Sequence, residues 1–570
     1  MKIYKQIIMG LCCLASLASC SDMLDTKSDM VEFEEDNHIN TPQDSLYSVM
    51  GIIRQMQVVA DRTLLLGEVR SDLVSPTAKA TTAIKNMAAN NFSDDNEYNR
   101  ISDYYAVINN CNYFLAHVDT TLSRLGKKVF EKEYPAVKAY RAWTYLQLAK
   151  IYGEVPLVTV PVMTEADAQR EMEKTPSDIN AICDYFINDL APYVDREQPN
   201  YNQVNGFNSS KFFIPVRVLL GEMCLWTGRY NEACQYFYQY LTKKDDMHYT
   251  NTNRVKWNVG ASADFINAST NNSYTSSVVA KNEAEVLCLI PLEPSEFNGI
   301  RGKLQEVFSS TDNNYYYYQV TPSSTLYNIS QAQDYVFENK ITDAERDTVY
   351  APKTGFQRSY YAGDLRLSGA YKYDIENRDE SSRYNSIKQT VSTVSSDFVT
   401  IYRVQQVYLM YAEALNRAGY PESAFNILKY GLYENSILKN ISEKERERAG
   451  ELLNFQSQFF TENNTQGIHA RGCGDVRCDN QYALPQPPEA LATYEDTLNY
   501  QIPLVEDMIV AENALEFAFE GHRYYDLMRV ALRRNDPSYF ALPIASRNGV
   551  RDESVYTRMM DKQNWYLPKK

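Results

Sequence analysis

"YAEALNRAGYPESAFNILKYGL", residues 411–432, has the same internal spacing as "LGEMCLWTGRYNEACQYFYQYL", residues 220–241. Ala412, Gly419, Ala424 and Leu428 of the first stand where Gly221, Gly228, Ala233 and Phe237 stand in the second, at a constant offset of 191. A small residue, Gly seven on, Ala five further and a large apolar residue after four more is the tetratricopeptide pattern. Small residues let two antiparallel helices approach closely, the Gly ends the first helix, and the large residue fills the seam. Both stretches are therefore expected to be helical hairpins. "PAVKAYRAWTYLQLAKIYG" (135–153) reads as the first helix of a further unit: Val137, Tyr140, Tyr145, Leu148 and Ile151 recur at three- and four-residue steps, with Pro135 in the first turn and Gly153 at the stop. The fold class that follows is mostly α, a tetratricopeptide-like helix-hairpin scaffold of several units.

Between the two matched hairpins the composition changes. Residues 250–395 are rich in Asn, Ser, Thr and Tyr, with one short strand expected in "AEVLCLIP" (284–291). A loop-rich insertion this long in a compact protein is either disordered or functional, and its interspersed Tyr, Trp and Leu favour an ordered ligand surface. The predicted organisation has helical parts at 45–249 and 396–570 on either side of it.

The N-terminus adds a different signal. Lys2 and Lys5 precede an apolar run too short to span a bilayer, followed by Leu17-Ala18-Ser19-Cys20. This resembles a bacterial lipobox, so residues 1–19 read as a signal peptide and Cys20 as the lipid anchor. Acyl chains contribute about 0.8 kcal/mol per buried methylene, so such an anchor is stable. Residues 20–44 are acidic and weakly apolar, a tether to a first helix near Ser45.

Composition narrows the function. The 570 residues are 44% hydrophobic and 23% charged with a net charge of −16, which excludes a phosphate-neutralising partner such as nucleic acid. No GxSxG, HExxH or P-loop occurs, so no enzyme activity is expected, and no metal or cofactor. Cys111, Cys183, Cys224 and Cys234 lie in apolar helical surroundings and are expected as buried thiols, whereas Cys473 and Cys478 are close enough in a Gly-containing loop for a local disulfide. Tyrosine is abundant, 45 residues against 4 tryptophans. A ring with a polar tip and few rotors suits a recognition surface. A sugar presents C–H faces that stack on rings and hydroxyls that need paired donors and acceptors. Trp143 and Trp226 sit among apolar helical neighbours, which leaves Trp257, in the polar insertion, as the first platform candidate. Tyr315, Tyr316, Tyr317 and Tyr318 form the second, at most two of them facing one surface, and Tyr327 is a third.

Several stretches together resemble the SusD/RagB outer-membrane lipoproteins of Bacteroidetes. They are "CSDMLD" at the lipobox, "EVRSD" (68–72), "YYAVINNCNYFL" (104–115), "AYRAWTYLQLAKIYGEVPLV" (139–158), "IYRVQQVYLMYAEALNRAG" (401–419) and "EFAFEGHRYYDLMR" (516–529). The resemblance implies a scaffold of tetratricopeptide-like pairs carrying a loop-built ligand surface, no catalysis, and lipid-anchored placement on the outer membrane facing the exterior. It implies a SusC-like TonB-dependent transporter as partner and an oligosaccharide, or for some members a peptide, as ligand. It also implies ligand contacts from the segment before residue 104, here Arg70, Asn91, Asn96 and Tyr98. That segment lacks the tryptophan often found in the family, which argues against a starch-like, stacking-dominated ligand. A tetratricopeptide scaffold that binds only protein is the alternative. The charges of "EFAFEGHRYYDLMR" could suit acid–base chemistry. They are instead expected to pair along one helix: Glu516 or Glu520 with Arg523, Arg523 with Asp526, and Asp526 with Arg529.

Overall fold

The computed structural model describes residue 39 and residues 41–93 and 95–243, then the segments 257–259, 266–268, 284–292, 303–308, 318–333, 336–340, 346–350, 364–376 and 386–391, and finally residues 397–456, 458–472, 482–487 and 493–569. The expected signal peptide, Cys20 and most of the tether lie outside these, as do Tyr315, Tyr316, Tyr317, Cys473 and Cys478. The principal helices of the first part are α1 (Pro42–Val69), α2 (Ile101–His117), α3 (Glu133–Tyr152), α4 (Ile179–Leu190), α5 (Val216–Trp226) and α6 (Tyr230–Leu241). Those of the second part are α7 (Ser324–Gln331), α8 (Leu365–Ala370), α9 (Val404–Arg417), α10 (Pro421–Lys429), α11 (Tyr494–Glu516), α12 (Arg523–Arg534) and α13 (Pro537–Ala545). No helix among the described residues is long and apolar enough to cross a membrane.

The helices stack in chain order. α2 packs on α3, α3 on α4, α4 on α5, α5 on α6, α6 on α9, and α9 on α10 and α11. The repeat spacing works as its chemistry requires. A Cβ on Gly221 would lie 2.4 Å from the Phe237 ring, so only a hydrogen there lets α5 and α6 close on one another. Gly228 and Gly419 turn the two hairpins at φ +72° and +93°. Ala412, Ala424 and Leu428 are fully buried in the second seam. Cys111, Cys183, Cys224 and Cys234 are buried free thiols.

The strand expected at 284–291 is present as Val286–Pro291, and it pairs antiparallel with Phe398–Arg403 just beyond the insertion. Residues 250–395 nevertheless contribute more than loops. Leu304, Val307, Phe308, Val320, Leu326, Leu367 and Ala370 join the same hydrophobic core as the helical hairpins. Short amphipathic pieces docked by distant partners leave no sustained periodicity to read.

"EFAFEGHRYYDLMR" departs most from expectation. α11 ends at Glu516, a turn follows, and α12 starts at Arg523. Phe519 and Gly521 in that turn have φ +72° and +82°. The charges pair across the molecule rather than along one helix. Glu516, fully buried, receives Nη1 of Arg366 at 2.9 Å and Nη1 of Arg403 at 2.6 Å, with Arg471 Nε at 3.1 Å. Burial alone would raise its carboxyl, but Arg471, Arg403 and Arg366 outweigh that and hold it below the usual range. Arg403 also grips Glu520 at 2.8 and 2.9 Å. Arg523 clamps Asp72 at 2.8 and 2.9 Å, and Arg529 clamps Glu413 at 2.9 and 2.7 Å. Glu413 is held down to about 2: Arg529 and then Arg533 overcome the opposing effect of burial. Of the predicted local pairs, Asp526 with Arg529 is present at 3.0 Å. His522 is pushed down to about 3 by burial, reinforced by Lys150, Arg403 and Arg529, so it stays neutral.

Glu68 of α1 completes this arrangement by accepting the backbone N–H groups of Phe519 at 2.8 Å and Gly521 at 2.9 Å. A Cβ on Gly67 would lie 1.9 Å from the Gly521 carbonyl oxygen, so here two backbones touch.

Removing Arg403 would strand Glu520 in the core and take from Glu516 one of its three arginines. Arg403→Ala is expected to lose about 3–5 kcal/mol in denaturant unfolding. Glu68 and Glu445 are each raised by burial from 4.5 to about 7, and together they outweigh His522, whose lowering from 6.5 to about 3 contributes with the opposite sign. Across the range from about 4.5 to about 7 the folded chain binds more protons than the unfolded one, so stability should fall as pH rises through it and then level. Glu445→Gln should flatten part of that slope in thermal melts recorded across this range.

Candidate ligand-binding seam

Strand β1 (Val74–Pro76) pairs antiparallel with Val320–Pro322 of the insertion, Ser75 opposite Thr321. This pairing joins the segment before α2 to the predicted ligand insertion. The join continues beyond the strands. Thr77 N–H donates to the Gln319 carbonyl at 2.8 Å, Thr77 Oγ1 donates to the Tyr318 carbonyl at 2.7 Å, and Thr81 N–H reaches Gln319 Oε1 at 2.9 Å. Ser323 N–H closes the other end on the Leu73 carbonyl at 2.8 Å.

Tyr318 is half-buried and sits at φ +53°, a region that costs a side chain about 1–2 kcal/mol. Its hydroxyl lies 3.1 Å from that of Tyr371, which in turn lies 3.3 Å from Thr321 Oγ1. The half-buried ring thus packs against the core with its hydroxyl fixed by Tyr371. Tyr327, on α7, is half-buried against the core. Trp257 falls in a short strand, Trp257–Val259, paired with Ile266–Ala268.

On the other side of the seam Asn91 is exposed. Asn96 is buried and shapes the loop: its Oδ1 accepts Tyr98 N–H at 3.0 Å and its Nδ2 donates to the Ala83 carbonyl at 3.2 Å. Tyr98 is 5% exposed, its phenol raised by burial, and Lys303 Nζ stands 5.6 Å from its ring centroid. Lys303 also pairs with Glu97, and its backbone N–H donates to Asp61 Oδ2 at 2.9 Å. Burial raises Asp61 above the usual carboxylate range. Both partners of the Glu97–Lys303 pair keep over two fifths of their side-chain surface, so the pair contributes little to stability and leaves a donor and an acceptor facing solvent.

Arg70 does not belong to this surface. It is fully buried, with Nε donating to Asn90 Oδ1 at 2.8 Å and Nη2 to the Tyr524 hydroxyl and the Trp565 carbonyl at 2.5 and 2.7 Å. Its guanidinium lies 4.1 Å from the Tyr524 ring centroid. A planar cation flanked by rings and carbonyls ties the segment to the C-terminus. The seam therefore brings Glu97 and Tyr98 to Lys303, and Tyr318 and Gln319 to Thr77 and Tyr371, while Asn96 shapes its own loop and Asn91 is exposed. Sequence reading missed Glu97, Lys303, Tyr371, Thr77 and Gln319. No local signal could have found them, because each is placed by pairing with a residue far away in the chain. No histidine or cysteine stands among these described residues, and the groups present offer rings, donors and acceptors suited to holding hydroxyls.

The SusD family model matches residues 226–568, more than half of the chain. NanU of Bacteroides fragilis has a similar structure, with a TM-score of 0.55 at 16% identity, covering 93% of this chain and 95% of that one. A SusD superfamily protein of Bacteroides vulgatus gives 0.54 at 13% identity, covering 91% and 92%. A SusD-like carbohydrate binding protein of the same species gives 0.52 at 14%, covering 86% and 84%. No curated protein matches the sequence.

The different placement of Arg70 and Asn91 can be measured. Arg70→Met leaves buried acceptors unpaired and should lose about 2–5 kcal/mol of stability by chemical unfolding, whereas exposed Asn91→Ala should stay within about 0.5 kcal/mol of the parent.

Proposed function

The chain belongs to the SusD family, and from that premise we propose that it is a lipid-anchored, cell-surface glycan-binding protein that captures an oligosaccharide along the seam between residues 74–100 and 303–327. The observation that carries the reading is the half-buried Tyr318 ring at φ +53° on the insertion, with exposed Asn91 and the solvent-facing Glu97–Lys303 pair elsewhere along the seam. A half-buried ring offers a C–H stacking face, while an exposed amide, carboxylate and ammonium offer the mixed donors and acceptors that hydroxyls need. Tyr327 and, from the insertion, Trp257, Tyr315, Tyr316 and Tyr317 extend the same chemistry. A SusD-like carbohydrate binding protein among the structural neighbours supports the ligand class. The lipobox-like Cys20 supports anchoring at the outer membrane, and the family supports hand-over to a SusC-like TonB-dependent transporter. We read the site as non-catalytic, its role being capture and delivery.

Titration of the full chain against a glycan array followed by calorimetry tests this. One stacked ring contributes about 0.5–1.5 kcal/mol, so Tyr318→Ala and Trp257→Ala should each weaken glycan binding roughly threefold to tenfold while the melting temperature barely moves. Absence of binding to every glycan, with a barrel protein still co-purifying, would support a protein-binding scaffold instead.

A further inference from the structure

A cleft of about 940 Å³, sharing no lining residue with the seam, opens where the ends of α3 and α4 and the α5–α6 turn meet α12 and the C-terminal residues 562–569. Its volume is that of a pocket for a compact ligand. Four aromatic residues, Tyr152, Trp226, Tyr230 and Tyr566, line it. Tyr566 lies flat on the end of α3: a Cβ on Gly153, at φ +73°, would come within 3.1 Å of its ring.

The lining carries charges of both signs. Its carboxylates are the exposed Glu154 and Asp178. Both face Tyr566, whose phenol is pushed up to about 12 by burial and then by these two carboxylates. The basic residues of the lining are Arg529, Arg533, Lys562 and Lys569. Two buried donors of the lining have no acceptor among the described residues, the Trp226 indole N–H and Arg533 Nε. Trp226 is only 9% exposed and stacks beneath Arg529, whose guanidinium carbon is 5.3 Å from its ring centroid. The terminal nitrogens of Arg533 are taken by Glu413 and Glu506, which leaves Nε as the group that needs an acceptor.

We propose that this cleft is a second binding site and that it takes a short peptide with free termini, the ammonium toward Glu154 and Asp178 and the carboxylate toward Arg533, Trp226 and Lys562. A ligand with one positive and one negative end compensates both sets of groups as they lose water, and a side chain between them covers the rings. A neutral sugar would cover the rings but bring no charge to Glu154, Asp178 and Lys562, and only neutral acceptors to the Trp226 and Arg533 donors.

The test is calorimetry of the full chain with the tripeptide Ala-Phe-Ala in three forms: free termini, N-acetylated, and C-amidated. The free form should bind, and each blocked form should bind at least tenfold more weakly. Glu154→Gln with Asp178→Asn (the amide still caps α4) should weaken the free form and abolish its advantage over the acetylated one. Lys562→Gln should narrow the gap to the amidated form, and Glu97→Gln in the seam should change none of these. The proposal is overturned if the three forms bind equally or not at all. It is equally overturned if cellotetraose binds and its affinity falls with the Glu154 and Asp178 substitutions.

Discussion

The carboxylate of Glu516 is the constraint on which the rest of the molecule depends. It ends α11, sees no solvent, and is met by arginines from three separate stretches, at 366, 403 and 471. Each of these arginines brings a further acid with it: Asp364 and Glu512, Glu520, and Glu285. The chain positions gathered in this way run from 285 to 520. A buried network of this kind is weak as a source of net stability, because dehydrating so many charges cancels most of their attraction. Its effect is selective. Any register that leaves one member unpaired is penalised heavily, so only one docking of insertion, helices and C-terminal turn is tolerated.

The helical hairpins were legible in the sequence because their determinants are local. Gly221 and Phe237 lie sixteen residues apart, and the spacing that joins them is visible in a single window. "EFAFEGHRYYDLMR" misled for the opposite reason. Its helix-like charge spacing is real, but Gly521 at φ +82° breaks the stretch and the charged partners of Glu516, Glu520 and Arg523 lie 45 to 451 residues away. Charge spacing in a sequence shows which pairs are geometrically allowed on a helix. It does not show which partners a buried charge will choose.

The same limit governs the binding surface. Asn91 was readable as a polar loop residue and is exposed. Arg70 had the same appearance in sequence, yet stands inside a cage of Asn90, Tyr524 and the Trp565 carbonyl. What separates the two is contact with the last fifty residues, which no local pattern encodes. Lys303 and Tyr371 become site neighbours only because β1 takes its pairing partner from the insertion.

The backbone contact between Gly67 and Gly521 has a consequence in time as well as space. Glu68 finds its two N–H donors 451 and 453 residues further along the chain. Residues 67–72 also carry Arg70 and Asp72, whose partners lie in the same distant region. Loop closure over such a span is slow, and it cannot begin before the far end exists. A chain that emerges N-terminus first therefore carries its first long helix unfinished until almost the whole molecule has followed. The completed fold is sealed last at the place where it starts.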